Sequence, residues 1–152
     1  MPYIISYQKY TDSQISRTLR LPEDSVTYAP IGTELATIAG VTYVSLPDGV
    51  VLPSGQPVEI SASIQSVVLT PALRKAINIS SPHVQLIKTR IIDEIRKSYS
   101  IDDEMYFARI GVGAANNLYA PTTDEMQALT AFGQFVEGVR QWGRNERAKL
   151  GL

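Results

Sequence analysis

Hydrophobic and polar residues follow two different periods along this chain, and the change comes near residue 70. Before it, short runs alternate as strands do, every second side chain facing one way. "YIISYQ" (residues 3–8) alternates in part. "LATIAG" leads into "VTYVSL", where Val41, Tyr43 and Ser45 fall on one face and Thr42, Val44 and Leu46 on the other. Pro47-Asp48-Gly49 supplies a turn, and Ser54-Gly55 a second. "VEISASIQSVVL" (residues 58–69) gives the longest strand candidate, with Val58, Ile60, Ala62 and Ile64 alternating with Glu59, Ser61, Ser63 and Gln65. Turns at these intervals predict short antiparallel strands.

After residue 70 the period becomes helical. Thr70-Pro71 opens a short helix, with proline at the first helical position, where its missing N–H costs nothing. Ser81-Pro82 repeats the signal ahead of Val84, Ile87, Ile91 and Ile95, a 3-4-4 stripe. Lys88, Arg90, Asp93, Glu94, Arg96 and Lys97 fill the other faces of that helix. Ser100 with Asp103, and Thr122 with Glu125, are capping boxes for two more helices. Gly151 is a stop. The pattern therefore predicts an α+β protein. A small antiparallel β module of four to six strands occupies residues 1–70, and a helical region of about four helices residues 71–152.

Composition narrows the function. The 44% of apolar residues suffices for a core, and the 19% of charged residues is too low for a disordered chain. A net charge of −1 gives no field that would draw in nucleic acid or an acidic membrane. The apolar runs are too short to span a bilayer. "MPYIISYQKY" lacks the basic segment and cleavage site of a signal peptide and reads as mature protein. With no cysteine and a single histidine, disulfides, thiolate metal sites, His-based metal clusters and a Ser-His-Asp triad are disfavoured. A carboxylate-only magnesium or calcium site stays open on composition, although no cofactor or metal is expected.

Four features tempt a sharper assignment. Gly111-Val-Gly113 looks like the start of a nucleotide loop. Such a loop needs a strand before it and a helix after it, whereas "DDEMYFARI" predicts a helix before it. The expected role is a helix C-terminus, with Gly111 or Gly113 at positive φ. Asp102, Asp103 and Glu104 could hold a hard cation, but they lack calcium-loop spacing and sit in a first helical turn, where the dipole favours negative charge. His83, the second residue of its predicted helix, reads as surface or cap rather than catalytic base. Arg140, Arg144 and Arg147 line one helix face and could grip carboxylate or phosphate, yet cations also belong near a helix C-terminus. No catalytic residue is expected.

The last helix stands apart. Phe132, Phe135, Val139 and Trp142, with Met126, Leu129 and Val136, form an apolar arc wider than one stripe. Such an arc is core on two sides, or core plus interface. Gly133, Gly138 and Gly143 each cost a helix about 1 kcal/mol against alanine and are easier to explain if another backbone comes close. The expected partner-binding set is Phe135, Val139 and Trp142 as anchors, with Arg140 and Arg144 as their rim.

The order of parts resembles a family. "VTYVSLPDGVVLP" in the β-rich half, "SSPHVQLIKTRIIDEIRKSYSIDDEMYFARI", a small-residue linker, and "TTDEMQALTAFGQFVEGVRQWGRNERAKLGL" at the end are similar to the tail-fibre assembly chaperones of tailed bacteriophages. The similarity is strongest from about residue 80 to 152. It implies a non-catalytic protein that binds a phage fibre polypeptide and helps its trimer fold, with or without staying attached in the virion. It also implies a place in the host cytoplasm during assembly, or in the virion tail. Nucleic acid and membrane are not implied as partners, and oligomerisation is left open. The alternative is a structural tail or baseplate adaptor. A third reading, from another class, is an enzyme built on Asp102–Glu104.

Overall fold

The computed structural model describes residues 1–152, with the elements in the predicted order: an antiparallel sheet in the N-terminal region, then helices. The strands are β1 (Tyr3–Tyr7), β2 (Tyr10–Thr11), β3 (Ser16–Arg17), β4 (Thr33–Ile38) and β5 (Val41–Leu46). A single helical turn α1 (Val58–Ser61) and β6 (Gln65–Val67) follow. Then come α2 (Pro71–Ser80), α3 (Pro82–Ser98), α4 (Ile101–Ala115) and α5 (Thr123–Lys149). No helix is long and apolar enough to cross a membrane.

By packing, the chain forms two compact units. One comprises residues Met1–Leu86 together with Glu146–Leu152, and the other Ile87–Asn145. The change of texture near residue 70 marks a change of secondary structure, whereas packing gathers α2 and the chain end with the sheet.

In the first unit, the four-stranded sheet has the order β4-β5-β1-β6, all antiparallel. β1 is central and is apolar toward both faces, because both are covered. Ile5 and Tyr7 pack with Val44, Leu46 and Ile60 on one side. Ile4 packs with Leu35 and Ile77 on the other, where Leu150 and Leu152 join them. The β4–β5 hairpin turns through Ala39 and Gly40, with φ of 50° and 80°, the double left-handed geometry that suits the right-handed twist of the strands. Pro47-Asp48-Gly49 turns as expected, with Gly49 at φ 75° and the Val50 N–H donating to Pro47 O at 3.2 Å.

The expected strand over residues 58–69 is corrected. Only Gln65–Val67 is strand, and Val58–Ser61 is helical. The Pro57 carbonyl accepts from the N–H groups of Ile60 and Ser61, and the turn drives Ile60 into the first core cluster while Val58 stays 82% exposed. Strand geometry would have put Val58 and Ile60 on the same face.

The second unit packs α3 from Ile87, α4, and α5 up to Asn145. Its centre is aromatic. Phe107 stacks on Phe132 with centroids 4.8 Å apart, and Tyr99 meets Phe132 edge-on at 5.0 Å and Phe135 at 5.5 Å. Ile87, Ile95 and Ile110 are also buried in this unit, Ile87 beside Gly143.

The helix starts follow the sequence signals. The Thr70 hydroxyl accepts from Leu73 N–H at 3.2 Å. Ser100 and Asp103 close a full capping box, and Thr122 and Glu125 exchange the corresponding pair of bonds. Ser81 differs from Thr70. It is fully buried before α3 and its hydroxyl finds no partner.

Candidate functional site

The apolar arc of α5 divides by angle into two surfaces. Phe132 and part of Phe135 turn inward to the aromatic centre described above. Phe135, Val139 and Trp142 also line an open groove of about 810 Å³ within the second unit. Trp142 remains 38% exposed there, a large apolar side chain in contact with water. Three of the five expected partner-binding residues therefore share one surface.

The other two do not. Neither Arg140 nor Arg144 lines the groove. Arg140 is one residue past Val139 and Arg144 two past Trp142, which rotates them by about 100° and 200° from the groove residues. Arg144 is engaged along its own helix: its Nη2 pairs with Glu137 and its Nε donates to Gln141 Oε1 at 2.9 Å. The charged edge comes instead from α3, whose Arg90, Asp93, Glu94 and Lys97 form the facing wall. Lys97 Nζ pairs with Glu94 at 2.7 Å, and that carboxylate raises the lysine pKa. Arg90 and Asp93 make no ion pair. Sequence reasoning missed this wall. Its only signal is the 3-4 spacing of charges along α3, which fits any solvated helix face.

Glycine shapes the groove. Gly143 is buried, and a Cβ there would stand 2.4 Å from Ile91 Cδ1 and 3.1 Å from Ile91 Cγ1. Contact between α3 and α5 at this level thus depends on the missing side chain. Gly138 lines the groove, and a Cβ there would meet nothing within 4 Å. The same is true of Gly133. One of the three helical glycines is explained inside the chain, and two face open space.

The remaining candidates take local roles. Gly111 and Gly113 lie inside α4 rather than at a positive-φ helix end, which corrects that expectation. Asn117 takes the left-handed position, at φ 56°, as asparagine tolerates. Gly113 instead makes room for the turn: its carbonyl accepts from Leu118 N–H at 2.9 Å, and a Cβ would stand 3.1 Å from Tyr119 Cβ. The acidic run is dispersed. Asp103 caps α4, held below its usual pKa first by the Ser100 N–H. Glu104 pairs with Arg96 at 2.7 Å, and Asp102 is exposed. His83 is exposed in the first turn of α3.

The arrangement can bind a segment by contact. An apolar side chain can enter over Gly138 and against Trp142, while polar groups beside it meet charges of both signs on α3. No known protein family, curated protein or solved structure matches this chain.

Proposed function

We propose that this chain is a non-catalytic tail-fibre assembly chaperone of a tailed bacteriophage, acting by contact on the fibre polypeptide. The observation that carries the proposal is the half-exposed Trp142, held with Phe135 and Val139 in an open groove whose opposite wall is charged. Aromatic side chains dominate protein association where a partner closes over them and completes their desolvation. A wall carrying two cations and two anions favours a mixed polar segment over a nucleic acid backbone. The resemblance of residues 80–152 to the tail-fibre assembly chaperones supports a fibre polypeptide as the partner, and the groove lies within that stretch.

Co-expression with the fibre polypeptide tests the proposal. The yield of soluble fibre trimer is measured with and without this chain, alongside co-purification. A rise in folded trimer with capture of the chain is expected. An unchanged yield with no capture would end the chaperone assignment. Stoichiometric chain in purified virions with no effect on fibre folding would replace it with the adaptor.

A further inference from the structure

α4 is apolar on two opposite sides, and only one of them is used. Phe107 and Ile110 face the aromatic centre of their unit. On the far side Ile101, Met105 and Val112 are 61%, 60% and 61% exposed, and Ala108 and Ala115 are exposed between and beyond them. These five residues repeat at 4-3-4-3 spacing, the seam of a two-helix coiled coil.

We propose that a second copy of this chain covers the seam, with α4 packed antiparallel on α4 about a two-fold axis between Tyr106 and Phe107. The register follows from self-complementarity, which a two-fold interface requires. Ile101 then faces Val112 of the second copy, and Met105 faces Ala108, a large residue against a small one in each central layer. Charge agrees. Asp102 and Arg109 flank the seam on one side, seven residues apart, and neither makes an ion pair or side-chain hydrogen bond within its own chain. Across the axis each Asp102 meets Arg109 of the other copy, so two ion pairs form by symmetry. On the other flank Glu104, already held by Arg96, faces the bare Gly111, and no like charges are opposed. A parallel pairing would stack Met105 on Met105 and leave Asp102 with no cation on α4. This surface is separate from the α5 groove, and pairing through it does not depend on fibre binding there.

The test is sedimentation equilibrium of the full chain from micromolar to hundreds of micromolar, with circular dichroism on every variant. A concentration-dependent dimer is expected. Met105→Glu places a carboxylate in the seam and should weaken the dimer tenfold or more without changing helix content, because the residue is exposed in the monomer. Asp102→Arg and Arg109→Asp should each weaken it through like charges. Mixed together, these two variants should form a heterodimer, since every flanking pair is then opposite in sign. Val112→Glu gives a second seam variant should either charge variant lose helix. A monomer throughout the range, a dimer indifferent to both seam variants, or folded charge variants that fail to associate on mixing would overturn the proposal.

Discussion

Replacing Trp142 with alanine separates an interface anchor from core. A buried aromatic covers roughly 150–250 Å². At 38% exposure, Trp142 hides a little over half of that, and alanine retains some of it. About 100 Å² of apolar surface is therefore returned to water, which costs about 2.5 kcal/mol at ~25 cal/mol per Å². No enclosed cavity forms, because the side chain lines an open groove, so the additional cavity cost of a core truncation does not arise. Against a stability of roughly 5–15 kcal/mol the variant stays folded, with a melting temperature lower by about 5–10 °C. Phe107→Ala is the control. That ring is 8% exposed and stacked on Phe132, so its loss should cost about 3–5 kcal/mol. Thermal melts of both variants are read beside capture of the fibre polypeptide. Trp142→Ala should lose at least about 2 kcal/mol of fibre affinity, near thirtyfold, while remaining folded. A melt as damaged as that of Phe107→Ala would make Trp142 core. A folded variant with undiminished capture would move the fibre contact off the groove.

Four further outcomes follow from local geometry. Gly138→Ala should raise stability by about 1 kcal/mol, since the new methyl meets nothing and the helix gains propensity. Gly143→Ala should lower it by about 1 kcal/mol because Ile91 must give way; equal urea midpoints for the two variants would refute the α3–α5 contact. Ala39→Asn should raise the urea midpoint by about 0.5–1 kcal/mol in stability, as asparagine accepts the left-handed φ of 50° that alanine holds under strain. Glu125 accepts from the Tyr119 hydroxyl at 2.7 and 2.8 Å and from Thr122 N–H at 2.9 Å, and these bonds, the tyrosine first, hold its pKa below the usual 4.5. With the folded pKa depressed, its contribution is complete above that usual value and is lost as pH falls through the lower one. Glu125→Gln should therefore flatten the fall of melting temperature in acid, and an unchanged profile would exclude this carboxylate from the acid response.

The features legible in the sequence are those that close within a few residues. The Thr70 cap, the Ser100–Asp103 and Thr122–Glu125 boxes, the turn at Gly49 and the stop at Gly151, φ 75°, each join groups no more than five positions apart. Side-chain chemistry decides them before the chain has a fold. The alternation of residues 41–46 is local in the same way, although burial of both sheet faces needed layers that the alternation does not specify. Features that depend on a distant neighbour were not legible. Residues 58–61 abandon strand alternation to bring Ile60 into contact with the β1–β5 core. Ser81 carries the same signal as Thr70 but is buried, and its hydroxyl bonds nothing. Glycine in a helix reads identically at 138 and 143, yet one faces open space and the other Ile91. The period of α5 placed Phe135, Val139 and Trp142 on one face, and tertiary packing supplied the opposing wall of Arg90, Asp93, Glu94 and Lys97. A helical repeat fixes which side chains share a face of one helix; which helix comes to lie beside that face depends on contacts between residues some forty positions apart, and no local pattern encodes them.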